Sequence, residues 1–222
     1  MSSTDELTGT SRRRQARADA TRLALLDAAV QEFSAHGFEG ASTRAIATRA
    51  GTHQPQINYH FESKEALWRA AVDHVFEQLD RLLGDAVPDI AGAAEDITPE
   101  AFADGLRAIV RAVAQLPELN RIMVLEATAD SDRLAWIVER HTRPRYDIIT
   151  GAWRELRRTG SVAPIDETVL YYAVVGAASL AYVNAPEARH LLGGDPIDDA
   201  FVEAHADALV TMLLGPDHGR TT

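Results

Sequence analysis

The sequence predicts an all-α protein, and three observations carry that reading. Nearly every apolar pattern along the 222 residues recurs at helical spacing. No run alternates apolar and polar residues over the length of a strand, and two-residue β-hairpin turn signals are lacking. Glycines and prolines stand where helical patterns stop and start, as helix punctuation requires. A hydrophobic content of 46% supplies a core for one large domain or two small ones.

The elements follow in order. Residues 1–18 are polar and basic and read as a disordered tail. A first helix is expected from Ala20 to His36, with Leu23, Leu26, Val30 and Phe33 as its apolar stripe. Gly37 can take the left-handed conformation that ends it. Ser42 or Thr43 caps a short second helix from Arg44 to Ala50, with Ile46, Ala47 and Ala50 inward. Gly51 closes that helix, and Pro55 can open a third, ending near His60, because a first helical turn needs no proline N–H. Ser63 caps a fourth, with Glu65 in its first turn and Trp68, Ala71, Val72, Val75, Leu79 and Leu82 as its stripe to about Leu83. Residues 84–98 read as a loop. Further helices are expected from Thr98-Pro99 to Leu116, from Pro117 to Ala129, and from Ser131 to Arg158 with a kink at Pro144. The last two run from Glu167 to Asn184 and from Asp198 to Leu214. The count is nine helices. The domains read as 19–66 and 67–215, with a flexible tail at 216–222.

Charge divides the same way. The net charge is −11, yet residues 1–70 hold nine basic and eight acidic residues, and the remainder 13 and 25. A polyanion would have to meet the N-terminal part. The acidic remainder suits a solvated surface. Cysteine is absent, which excludes disulfides and thiolate metal sites and fits a reducing cytoplasm. No apolar run reaches the ~18 residues of a membrane span, and no apolar segment follows the N-terminal arginines as a secretory signal requires, so a cytoplasmic protein without membrane contact is expected.

The third helix, "HQPQINYH", raises the functional question. Only Ile57, with Phe61 just after it, looks inward; nearly everything else is polar or aromatic. Helices two and three, joined by a tight turn at Gly51, have the helix-turn-helix arrangement, whose second helix lies in the DNA major groove. The amides of Gln54 and Gln56 can read adenine edges, Arg44 can reach guanine or a phosphate, and the ring of Pro55 can meet a thymine methyl. Thr43, Tyr59, His60 and Lys64 suit phosphates, which position without specifying. Arg12, Arg13, Arg14 and Arg17 either reach a minor groove or form a solvated tail with diffuse attraction for DNA. His53 and His60 lack a partnering Asp, Glu or Cys, so DNA contact is preferred over metal binding.

The stretches "LLDAAVQEFSAHGFEGASTRAIATRAG" and "INYHFESKEAL" resemble the DNA-binding domain of the TetR (tetracycline-repressor) family of bacterial transcription regulators. The resemblance covers the first ~67 residues, and "STR" at 42–44 with "QP" at 54–55 is similar to the tetracycline repressor's own reading head. It implies Arg44, Gln54, Pro55 and Gln56 as base readers and Thr43, Tyr59, His60 and Lys64 as phosphate contacts. A common family tyrosine is Asn58 here, so Asn58 joins the base-contact set and the aromatic contact moves to Tyr59. Thr52 replaces a common valine, and His53 a frequent serine cap. The resemblance further implies a homodimeric repressor of a palindromic operator, released by a small-molecule effector.

In relatives the last two helices pair with those of a second subunit. Here "VLYYAVVGAASLAYV" is too apolar to face water alone, and Tyr171, Val175, Gly176, Ala178, Phe201, Ala204, His205, Ala208 and Met212 are the expected dimer interface. Phe102, Leu106, Ile109, Met123, Glu126, Tyr146, Ile149, Trp153 and Tyr172 have the composition of a pocket for a small apolar or aromatic ligand, though plain core explains most of them, and a salt bridge to an arginine explains Glu126. No catalytic or metal site and no cofactor is expected: HExxH, Walker, GxSxG and GxGxxG motifs are all lacking. The competing classes are an all-α enzyme or carrier, and a protein-binding module whose helix-turn-helix no longer meets DNA.

Overall fold

The computed structural model describes residues 3–84 and 97–218, with side chains described at Arg12 and from Gln15 onward. The described residues form helices and no strand. They are α1 (Ser3–Gly40), α2 (Thr43–Arg49), α3 (Gln54–His60), α4 (Lys64–Leu83), α5 (Pro99–Gln115), α6 (Pro117–Ala127), α7 (Asp132–Ile137), a π turn (Val138–Thr142), α8 (Arg143–Arg158), α9 (Glu167–Val183), α10 (Ala185–Leu192), α11 (Asp199–Leu214) and a 3₁₀ turn (Pro216–His218). The chain divides into two compact units, 1–75 and 76–222.

In the first unit, α1 begins at Ser3, within the stretch read as a disordered tail. Residues 10–18 are rich in Arg, Gln and Ala, which favour helix, and Gln15 bonds Asp19 one turn on. Gly37, with φ +66°, breaks the helix where "HGF" predicted an end. The buried stripe is Leu25, Leu26, Ala29, Val30 and Phe33, while Leu23 is exposed. Ile46 and Ala47 of α2, Ile57 and Phe61 around α3, and Leu67, Trp68 and Ala71 of α4 are further buried apolar side chains of this unit. Ser63 caps α4 by accepting the Ala66 N–H at 3.0 Å.

In the second unit, α5 packs along α11, and α9 touches α5, α6, α8 and α11. One core cluster centres on Phe102, Leu106, Trp153, Leu156 and Leu170, and a second on Val110, Tyr182, Ala206 and Leu209. Arg107, buried, ties α5 to α11 through Asp207 at 2.8 Å and donates to the His218 carbonyl at 2.7 Å. Arg111, one turn on, makes a bidentate pair with Glu203.

Several sequence expectations change. The helix expected from Ser131 to Arg158 with a kink at Pro144 is interrupted by the π turn before that proline. Proline has no N–H to give and its ring needs room, and the structure seats it in the first turn of α8 behind that wider turn. Residues 184–198, read as a connection, contain α10, opened by Pro186 and closed by Gly193 at φ +67°. In the tail expected from 216, Pro216–His218 form a turn held by Arg107. Most of the loop expected at 84–98, and residues 219–222, lie outside the described residues.

Candidate nucleic-acid interface

The reading head is built from α2, α3 and the turn between them. Ser42 is the N-cap of α2, accepting the Ala45 N–H at 3.3 Å. The chain reverses at Gly51, with φ +66°, a conformation that costs any other L-residue strain. The Thr52 N–H donates back to the Ala47 carbonyl at 2.9 Å, which closes the turn. α3 then starts at Gln54, with Pro55 in its first turn. His53 occupies the N-cap position and makes no side-chain capping bond. What holds α3 instead is Ile57, 2% exposed, and Phe61, which ends the helix by donating its N–H to the Ile57 carbonyl. A further tie joins the two helix starts: Gln54 Nε2 donates to Thr43 Oγ1 at 3.3 Å.

The side chains singled out by the sequence lie at this surface, beside Thr48, Arg49 and His53, which are exposed as well. Arg44, Gln54, Pro55, Gln56, Asn58 and Tyr59 are exposed, Tyr59 at 75%. Thr43, His60 and Lys64 are half-buried at the edges of this row. Tyr59 stands edge-on to His60, ring centroids 4.9 Å apart. Lys64 donates to the Glu39 carbonyl at 3.2 Å and lies 5.0 Å from the Phe38 ring, so it also closes the end of α1. Arg12 and Arg17 are exposed along α1.

The expected ligand pocket is not assembled as read. Phe102, Leu106 and Trp153 lie in one core cluster, 2%, 2% and 0% exposed, with Ile149 packed on its edge. The Trp153 indole donates to the Ile165 carbonyl at 3.0 Å. Ile109 packs on the second cluster. Met123 is half-buried on α6, and the buried Glu126 is engaged by Arg133 at 3.2 Å. Tyr146 bonds Thr168 and meets Tyr171 edge-on at 4.9 Å. Tyr172 is 71% exposed and lines no interior space. A surface cleft of about 510 Å³ is lined instead by Arg154, Arg157, Arg158, Gly160, Val162, Pro164 and Glu167, and its arginines are paired with Glu167 and Glu155.

The two last long helices each carry two apolar faces. On α9, Leu170, Val174, Ala178 and Tyr182 are buried, while Val169, Tyr172, Val175, Gly176 and Leu180 face outward. On α11, Val202, Ala206, Leu209 and Val210 are buried, and Ala204, Ala208 and Met212 face outward, Met212 at 78%. Ala178 therefore belongs to the core rather than to the outer face, and Tyr171 and Phe201 are half-buried. Val169, Tyr172 and Leu180 are outward residues absent from the expected interface; their i, i+3 and i+11 relation had no contrasting polar face to fix its phase. His205 links the helices, accepting from or donating to the Tyr182 hydroxyl through Nδ1 at 2.9 Å and meeting the Ala177 carbonyl through Nε2 at 3.0 Å. A carbonyl only accepts, so Nε2 carries a proton, and the Tyr182 hydroxyl donates to Nδ1 of the neutral ring. Burial pushes the Tyr182 hydroxyl up to about 12 and draws His205 below its ordinary value, the bond to Ala177 opposing the latter.

Residues 25–71 match the description "Bacterial regulatory proteins, tetR family". These residues carry the DNA-binding domain of the TetR family of bacterial regulators. The chain is 27% identical over 211 residues to the HTH-type transcriptional regulator RutR of Escherichia coli K12, covering 92% of this chain and 94% of RutR. Its fold is shared by AibR, solved in complex with isovaleryl coenzyme A and operator DNA, at a TM-score of 0.65 and 22% identity over 88% of this chain and 99% of that one. It is shared also by FadR from Bacillus subtilis, solved with stearoyl-CoA, at a TM-score of 0.59 and 18% identity over 87% and 98%. Among the described residues no single helix is long and apolar enough to cross a membrane.

Proposed function

We propose that this chain is a TetR-family homodimeric repressor that reads a palindromic operator and leaves it when a small molecule binds. The observation that carries the reading is the exposed row Arg44, Gln54, Pro55, Gln56 and Asn58 at the start of α3, on a helix anchored from behind by Ile57 and Phe61. Arg44 and the amides of Gln54 and Gln56 read base edges, with Asn58 beside them. Thr43, Tyr59, His60 and Lys64 hold phosphates and set the register. Two copies, joined through the outward faces of α9 and α11, would present two such heads to half-sites roughly 34–36 Å apart. The apolar character of those faces supports a second copy as their cover.

Effector release requires a ligand with higher affinity for the state that does not bind DNA. The second unit is the ligand-binding half of this reading, with Ile109, Met123, Tyr146 and Ile149 as its half-buried candidates. The acyl-CoA complexes of AibR and FadR make acyl-CoA thioesters the first class to try. The test is a gel shift against the DNA upstream of the chain's own gene, at several salt concentrations, with and without an acyl-CoA panel. Specific retention at low salt is expected, weakened by one member of the panel. Gln54→Ala should relax base preference, and Lys64→Ala should weaken all sequences alike. Equal losses on every sequence for both changes would refute this division of roles.

A further inference from the structure

Glu32 is a charged side chain buried in the first unit, 4% exposed, within the apolar stripe of α1. Burying a carboxylate is costly unless specific partners receive it. Two of its partners lie at the two ends of α2, and the third, His36, lies one turn on along α1. Oε1 accepts the backbone N–H of Ser42 at 3.1 Å, and Oε2 lies 3.8 Å from the Arg49 guanidinium and 4.0 Å from His36.

The first of these bonds completes a motif that α2 lacks. In a capping box the N-cap side chain bonds the N–H at the third helical position, and an acid at that position returns a bond to the N-cap N–H. Here Ser42 makes the forward bond to Ala45, but position 45 is alanine and can return nothing. Glu32 supplies the missing acceptor from another helix, ten residues upstream. The same carboxylate attracts Arg49 in the last turn of α2. The helix is thus gripped at its start and near its end by one group. From Ser42 the chain passes directly to Thr43, which receives the Gln54 amide, and to Arg44.

We infer that Glu32 is a positioning residue for DNA recognition, fixing α2 on α1 and through Thr43 the setting of Gln54, without itself touching DNA. The inference rests on the operator reading above. A group of this kind can be separated from a merely stabilising one, because Arg49 and His36 are half exposed and stay solvated when Glu32 is replaced, and affinity can be read on chains that are still folded.

The test compares Glu32→Leu and Glu32→Gln in the full chain, by thermal melting, by affinity for upstream DNA against random DNA well below the melting temperature, and by amide exchange at Ser42. E32L should melt below the wild-type temperature yet remain folded at the assay temperature, exchange Ser42 rapidly and lose at least about tenfold in operator affinity, about 1.4 kcal/mol of recognition. E32Q, which keeps an acceptor for Ser42, should recover most of that loss and keep Ser42 protected. Where E32L does not fold, the unbranched Glu32→Met gives the same reading. A folded E32L or E32M that binds the operator within twofold of wild type overturns the inference and leaves the operator reading standing. A wild-type chain that retains no upstream DNA at low salt overturns both.

Discussion

Met212→Ala probes the outward face of α11 most directly. Met212 is 78% exposed in the single chain, so it contributes little to the subunit's own stability. In a two-fold dimer each subunit would present it to the partner, and any loss counts twice. Alanine removes everything beyond Cβ, which at about 0.8 kcal/mol per methylene-sized group is about 2 kcal/mol per copy and about 4 kcal/mol per dimer. At 1.4 kcal/mol per tenfold, the dimer dissociation constant should rise up to about a thousandfold. Sedimentation equilibrium over a wide concentration range measures it, with thermal melting of the dissociated chain as control. The control should be unchanged. A wild-type chain that sediments as a monomer at high concentration, or a Met212→Ala constant within threefold of wild type, would refute the argument that this face meets a second copy.

Other perturbations separate structural roles. Arg107→Ala breaks a buried pair to Asp207 and should cost about 3–5 kcal/mol in urea denaturation. Arg111→Ala, one turn away with both partners over a third exposed, should cost under about 1 kcal/mol. Gly51→Ala meets no atom within 4 Å of the added carbon, so its loss should come from the φ +66° backbone alone, about 1–2 kcal/mol. His205 is drawn below its ordinary value by burial, so the unfolded chain binds its proton more readily than the folded one. Its share of stability should be present in full above pH 6.5 and be lost as pH falls through the lowered value. Melting curves across that window should show a smaller acid-side loss in His205→Gln, and equal losses in both proteins would refute the assignment.

What the sequence made legible was what local chemistry dictates. Ser42, Thr98 and Ser131 each cap a helix where a hydroxyl precedes a periodic stretch. The exposed row on α3 was legible because so many polar residues on so short a helix leave few ways to bury it. α10 went unread because Leu191 and Leu192 are exposed, so no amphipathic stripe marks it; Pro186 and Gly193 were the available signals. The π turn shifts the phase of the pattern by a residue, which a proline-kink reading cannot foresee. On α9 every face is apolar, so periodicity could not divide Ala178, which is core, from Tyr172, which is not. The aromatic set on the middle helices could not be divided into core and lining for a related reason. Phe102 and Trp153, centroids 5.5 Å apart, satisfy one another, and composition alone does not distinguish that from a lining.

The departure at His53 has a consequence for how the reading helix is controlled. α3 has no side-chain cap of its own, and its register comes from neighbours: Ile57 and Phe61 behind it, the Thr52–Ala47 bond before it, and the Gln54–Thr43 contact beside it. A helix held by its neighbours follows their movements. His53→Ser would supply the cap, stabilising the first turn of α3 by about 1 kcal/mol. It should also loosen the dependence of α3 on α2, so that the operator affinity lost in Glu32→Leu is partly regained in the double variant. Strict additivity of the two changes in gel-shift affinity would mean that α3 is set independently of α2, and that the path from Glu32 to Gln54 does not exist.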